Sequence, residues 1–155
     1  MKIYFDNCCY NRPFDDKTLV TVQLEAEAKL HIQNQIKIGM YDLVWSYMNE
    51  YENNCNPDKE RRDSIYKWKY VAKEICCQSD MILKRSEAIQ CLSIKLFDSL
   101  HIACAIESNC DYFISTDYLL IRKDKLFSEI CIINPINFLR KMENYYYLSF
   151  PKNGL

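Results

Sequence analysis

A chain of 155 residues with 49% hydrophobic content and only two glycines is long enough for one domain with a substantial core, and its composition excludes disorder. The formal net charge of −1 gives no global attraction to a polyanion, so any nucleic-acid surface has to be local. No apolar run approaches the ~20 residues of a membrane span, which sets a cytoplasmic location as the expectation. The nine cysteines are odd in number, include the adjacent pairs Cys8-Cys9 and Cys76-Cys77, and form no Cys-x-x-Cys pair. They read as reduced, mostly core thiols, without disulfide staples or a zinc ribbon.

In chain order, hydrophobic periodicity alternates between short strand-like runs and longer helical stripes, the pattern of a parallel sheet covered on both faces. Ile3-Tyr4-Phe5 is the first strand and ends at Asp6; Asn11-Arg12-Pro13-Phe14 then breaks the chain. Asp15 or Asp16 caps a helix with Leu19, Val22, Ala26 and Leu30 on its inner face, Gly39 ends it, and Glu25 and Glu27 read as solvated. Leu43-Val44-Trp45 is the second strand, followed by a short helix with the stripe Met48, Tyr51 and Cys55. Asn56-Pro57 opens a longer helix carrying Ile65, Trp68, Ala72 and Ile75. Met81-Ile82-Leu83 is read as the third strand, and Asn109 separates the helix beginning near Asp98 from a fourth strand at Tyr112.

Four acids stand out. Asp6 and Asp117 close strand-like runs, where an open α/β sheet delivers ligands into a crevice. At ~100° per residue Glu52 lies about 40° from Met48, at the edge of the apolar stripe, whereas Glu50 lies about 200° away and faces solvent. Asp98 begins the helix Asp98-Ser99-Leu100-His101-Ile102-Ala103. Taken singly, Asp98 reads equally as a helix cap, Asp117 as a turn former and Asp6 as a strand-end carboxylate with a backbone partner. His101, on the inward side of that helix, reads as a hydrogen-bonded core histidine.

The order and context of these residues resemble PIN-domain ribonucleases, in particular VapC-type toxins of bacterial toxin-antitoxin pairs. The resemblance rests on Ile3-Tyr4-Phe5-Asp6-Asn7, on Ser46 with Glu52 six residues on, on Phe97 to Ala103, on Ser115-Thr116-Asp117, and on Ile132-Ile133-Asn134-Pro135. It implies a three-layer α/β/α domain over residues 1–143 with a mainly parallel sheet of four or five strands, followed by an aromatic tail over residues 144–155. It also implies a metal-dependent endoribonuclease using one or two Mg²⁺ or Mn²⁺ ions, with Asp6, Glu52, Asp98 and Asp117 as catalytic metal ligands. Asn7, Ser46 and Thr116 would support those ligands, and Arg12, Lys95, Arg122 and Lys123 are the cations nearest to them for RNA contact. The implied partners are an RNA substrate, an antitoxin and a second copy of the chain, with no membrane.

One departure weakens the case for a second ion, because Tyr118, Leu119, Leu120 and Ile121 follow the fourth carboxylate where the family commonly has another acid or amide. Two other readings remain open. One is an inactive PIN-like module that binds RNA or protein. The other is an aspartate-based phosphoacceptor or phosphatase, although Asp6-Asn7-Cys8 lacks the second aspartate two positions on that a haloacid-dehalogenase-like phosphatase uses.

Overall fold

The computed structural model describes residues 1–149. Five strands, β1 (Lys2–Phe5), β2 (Asp42–Ser46), β3 (Glu74–Cys76), β4 (Tyr112–Ile114) and β5 (Cys131–Ile133), form one all-parallel sheet in the order β3-β2-β1-β4-β5. The helices are α1 (Asn7–Asn11), α2 (Val20–Lys37), α3 (Tyr47–Asn54), α4 (Lys59–Tyr66), α5 (Trp68–Val71), α6 (Asp80–Gln90), α7 (Leu96–Glu107), α8 (Tyr118–Ile121) and α9 (Pro135–Ser149). Strand side chains alternate between faces. Tyr4, Val44, Phe113 and Ile132 therefore join the core formed with α6 and α7, while Ile3, Phe5, Leu43, Trp45 and Ile114 join the core formed with α1, α2, α4 and α9.

The chain runs outward from β1 to β3 on one side, then returns to place β4 on the other side of β1. This reversal opens a crevice at the carboxyl ends of β1 and β4, where ligands of such sheets bind. Phe5 pairs with Ile114, so Asp6 and Ser115 emerge side by side, and the Asp6 amide donates to the Ile114 carbonyl (2.9 Å).

Helix ends follow local chemistry. Gly39 adopts φ +81°, with Gly39 N–H bonded to Ile36 O and Met40 N–H to Gln35 O, a left-handed stop for α2. Asn109, at φ 53°, ends α7 with the same pair of bonds, to Ile106 O and Ala105 O.

Several expected elements differ. Met81-Ile82-Leu83 lies in the first turns of α6 and is not a strand. Ser79 caps that helix through Ile82 N, and only Ile82 of the three is buried, in line with Ser86 and Ile89 at helical spacing. The third strand is instead Glu74-Ile75-Cys76, so Ile75 leaves the helix to which its spacing assigned it. That helix is capped by Asp58, not Asn56, and breaks at Lys67 into α4 and α5. In α3 the buried positions are Met48, Asn49 and Asn53, whereas Tyr51 and Cys55 are exposed. The two asparagines are buried because their amides donate to Phe5 O (3.0 Å) and Arg62 O (2.9 Å).

Helix α2 starts at Val20 with no side-chain cap, and Asp16 instead accepts from Thr18 N. It buries a polar stripe, Glu25, Lys29 and Gln33, alongside Ala26, Ile32 and Ile36, while Leu19 and Leu30 are exposed. Glu25 is thus not solvated: it accepts from the Tyr118 hydroxyl (2.6 Å) and pairs with Arg12. All nine cysteines are free thiols. The aromatic segment from Tyr145 to Leu148 continues α9 with its side chains exposed, so residues 144–149 extend the last helix; residues 150–155 of the expected tail lie outside the described residues.

Lys29 is buried near the rings of Tyr10 (5.4 Å) and Trp68 (5.9 Å), and desolvation lowers its pKa to about 8, with Lys37 adding to the effect and Cys9 opposing it. The folded chain binds fewer protons than the unfolded one between about 8 and the usual 10.5, so this group's contribution to stability rises with pH across that window. At pH 7 the protein carries the full penalty of a buried ammonium. Lys29→Met is expected to raise the melting temperature at pH 7, by at most about 3 kcal/mol of stability. Melts from pH 7 to 10 should show the gap between variant and wild type closing as pH rises; a constant gap would contradict the assignment.

Candidate metal centre

Asp6 is 6% exposed and terminates β1. Its Oδ1 accepts from Asn7 N (2.7 Å), while Oδ2 accepts from the Ser115 hydroxyl (2.7 Å) and the Cys8 thiol (3.1 Å). Ser115 Oγ also accepts from Asp117 N (3.0 Å), so one buried hydroxyl ties the loop bearing Asp117 to the Asp6 carboxylate. Asp117 caps α8, with Oδ1 accepting from Leu119 N (2.8 Å) and Leu120 N (3.3 Å). Its capping role and its position at the crevice coexist, because only one carboxylate oxygen takes these bonds.

Asp98 occupies the first turn of α7 and is half-buried. Burial raises its pKa first, then the charges of Asp6 and Asp117, with His101 and Lys95 opposing. Mutual repulsion of this kind is what convergence of carboxylates without a cation produces. Asp98 and Asp117 line a cleft of about 240 Å³ together with Lys95, Lys123, Leu119 and Leu120. A larger concavity, about 630 Å³, lies near the amino-terminal ends of β4 and β5 and is lined by none of the four acids. Of the four acids, Asp98 and Asp117 line the smaller cleft.

Glu52 projects from α3, and its Oε2 lies 2.5 Å from His101 Nε2. Ligand atoms of Asp6, Glu52 and His101 all fall within 4.8 Å of one another. His101 is a core histidine, as expected, but one whose second nitrogen faces the site. Behind it, Nδ1 lies 2.6 Å from the Tyr4 hydroxyl, which lies 2.5 Å from Ser46 Oγ. Ser46 also caps α3 in a reciprocal box with Asn49. Glu50 points elsewhere, paired with Lys69 at 2.8 Å.

The donor set suits a hard divalent cation, since carboxylate oxygens favour Mg²⁺ or Mn²⁺. Asn7 Oδ1 and Thr116 Oγ1, flanking two of the acids in sequence, are buried without hydrogen-bond partners among the described residues, as are Tyr10 Oη, Trp45 Nε1 and Tyr47 Oη. Of the four cations, Arg12 is engaged internally by Asp15 (3.2 Å), by Glu25 (Nε 3.0 Å away, without hydrogen-bond alignment) and by the Thr116 carbonyl (3.5 Å). Lys123 donates to the carbonyls of Leu92 and Ser93. Lys95, at the cleft, and Arg122 are exposed.

Sequence reasoning did not single out Tyr4, Ser115 or Cys8. Tyr4 had one detectable signal, a hydroxyl inside an otherwise apolar strand, because a buried tyrosine seeks a partner for its O–H. It also did not single out the exposed pair Tyr51 and Phe97, whose rings meet edge to face at 5.8 Å just before Glu52 and Asp98.

No protein-family profile matches the chain, and no curated protein matches it in sequence. Among solved structures, a chain of VapBC2 from Rickettsia felis, determined bound to a DNA fragment from its promoter, aligns with a TM-score of 0.54 at 15% identity, over 86% of this chain and 98% of that one. The likeness shows the fold alone: that chain shares this α/β/α arrangement, here with five parallel strands.

Proposed function

We propose that this protein is a metal-dependent endoribonuclease, hydrolysing RNA phosphodiester bonds as the toxin of a toxin-antitoxin pair in the cytoplasm. The observation that carries the reading is the grouping of Asp6, Glu52 and His101 ligand atoms within 4.8 Å at the strand-order reversal, beside Asp98, whose pKa is raised by burial and then by the charges of Asp6 and Asp117. Glu52 joins Asp6 through the shared proximity of their oxygens. These four residues would hold one Mg²⁺ or Mn²⁺, with a second ion less well provided for, because the residues after Asp117 are apolar. A bound divalent ion supplies a lowered pKa for an attacking water and charge neutralisation on phosphate oxygens.

The chain's own contribution is to fix the carboxylates and to receive the strand. Ser115 and Asn7 N–H pin Asp6, the α8 amides pin Asp117, and Lys95 offers a cation to a backbone phosphate. The exposed rings of Tyr51 and Phe97 provide a surface on which an unpaired base stacks.

Incubation with a mixed RNA pool tests the reading. Fragments are expected with Mg²⁺ or Mn²⁺ and none with EDTA. RNA binding without cleavage under every metal condition would favour an inactive PIN-like module, and a stable aspartyl phosphate without RNA cleavage would favour the phosphoacceptor class. No described helix is long and apolar enough to cross a membrane.

The exposed aromatic end of α9 is assigned to assembly, either with a second copy or with an antitoxin. Truncation after Asn144 is expected to weaken one of these associations while leaving Mn²⁺ binding and cleavage in place, since α9 contributes nothing to the acid cluster. Sedimentation of intact and truncated protein measures it; unchanged mass together with unchanged partner affinity would reject the assignment.

A further inference from the structure

Resting on the reading of the acid cluster as a metal centre, we propose that Ser46, Tyr4 and His101 form a buried hydrogen-bond relay whose task is to orient the Glu52 carboxylate, with His101 a positioning residue and not itself a metal ligand. The relay spans β2, β1, α7 and α3, four elements separated by up to 97 residues between neighbouring members.

Its three contacts are short, at 2.5, 2.6 and 2.5 Å from Ser46 Oγ to Tyr4 Oη, to His101 Nδ1, and from His101 Nε2 to Glu52 Oε2. The proton order is assigned by the ends of the chain. The Glu52 carboxylate accepts, so Nε2 carries the ring proton and Nδ1 presents its lone pair. Tyr4 then donates to Nδ1, the single Ser46 hydroxyl proton lies between Tyr4 Oη and Asn49 Oδ1 (3.2 Å), and Ser46 Oγ accepts the Asn49 amide (3.2 Å). Every buried polar atom along the line has a partner in this arrangement.

The geometry is more specific than a satisfied core histidine requires. Ser46, Tyr4 and His101 are each at most 1% exposed, whereas the Glu52 side chain is 23% exposed and lies within ligand range of Asp6. Tyr4 cannot swing away, because its ring stacks on Phe113 (5.4 Å, 11° between planes) and meets the imidazole edge at 5.7 Å. A rigid sheet residue therefore holds the imidazole of a helix residue in place, and the imidazole holds the carboxylate. Ligation through Nε2 would demand the opposite tautomer, with Nδ1 donating to Tyr4 and Tyr4 to Ser46, and an Nε2 lone pair facing a carboxylate oxygen at 2.5 Å in the metal-free state.

Mn²⁺ titration of the full-length protein by calorimetry, with electron-spin-echo spectroscopy of the Mn²⁺-loaded sample, tests the relay without relying on cleavage. Tyr4→Phe keeps the stacked ring and deletes only the hydroxyl; it is expected to weaken Mn²⁺ binding about 10- to 100-fold, the usual effect of removing a group behind a ligand. Glu52→Gln should weaken it at least as much, and the double variant no further than Glu52→Gln alone. His101→Gln, whose amide N–H can replace Nε2–H toward Glu52, should retain more affinity than His101→Ala, and it provides an independent arm if Tyr4→Phe does not fold. The spectra should show no directly coordinated nitrogen. Wild-type affinity in Tyr4→Phe beside a weakened Glu52→Gln, additive losses in the double variant, or equal losses in His101→Gln and His101→Ala would each overturn the relay. A coordinated nitrogen would make His101 a ligand. Failure of the metal reading itself is distinguishable, because Asp98→Asn and Glu52→Gln would then both leave Mn²⁺ titrations unchanged.

Discussion

Asp6→Asn, Asp98→Asn and Asp117→Asn are each expected to abolish RNA cleavage while the fold survives, and Asp98→Asn to raise the melting temperature of the metal-free protein. Two carboxylates at ~4 Å repel by about 4 kcal/mol at an effective dielectric of 20, so a cluster of them is costly until a cation is bound. The cost is visible at Asp98, whose pKa is pushed up by burial and then by Asp6 and Asp117. Removing its charge relieves that repulsion and at the same time removes a proposed ligand. The three sites differ in structural cost: Asp6 receives three hydrogen bonds and Asp117 caps α8, so their amides keep one acceptor oxygen but lose the second. Cleavage of an RNA pool with Mn²⁺, paired with melts in EDTA, checks both halves. A variant that is folded and still cleaves would remove that residue from the metal centre; a lower metal-free melting temperature for Asp98→Asn would show that repulsion is not the dominant force on it.

The second large effect separates two acids only two positions apart. Glu52→Gln should lose most cleavage activity, whereas Glu50→Gln should be nearly silent. Glu50 pairs with Lys69 on a partly exposed surface, where solvent screening leaves the interaction contributing little. Glu52 faces His101 and shares ligand range with Asp6. Activity and melting curves of the two variants, measured side by side, decide between them. Loss of activity in Glu50→Gln with retention in Glu52→Gln would move the site to the wrong face of α3.

What the sequence by itself determined is governed by short-range rules. Strand alternation over Ile3-Tyr4-Phe5 and the acid at its end, and the left-handed stops at Gly39 and Asn109, depend on neighbours within one or two turns. These rules suffice to place Asp6 and Asp117 at element boundaries, while Asp98, expected to begin its helix, is the third residue of α7.

Tertiary structure decided what has no such local signature. A run of three apolar residues carries too little period to separate strand from helix, so Met81-Ile82-Leu83 was settled by the Ser79 cap and by which one of the three packs inward. Glu25 looks solvated along its own helix, yet it is buried because Arg12 and the distant Tyr118 satisfy its oxygens. The partners of Tyr4 lie 42 and 97 residues away, and Ser115 reaches Asp6 across 109. Burial of a polar group is favourable only once its partner arrives, and that partner is supplied by the pairing of β1 with β4 and the docking of α7, not by anything in the flanking residues.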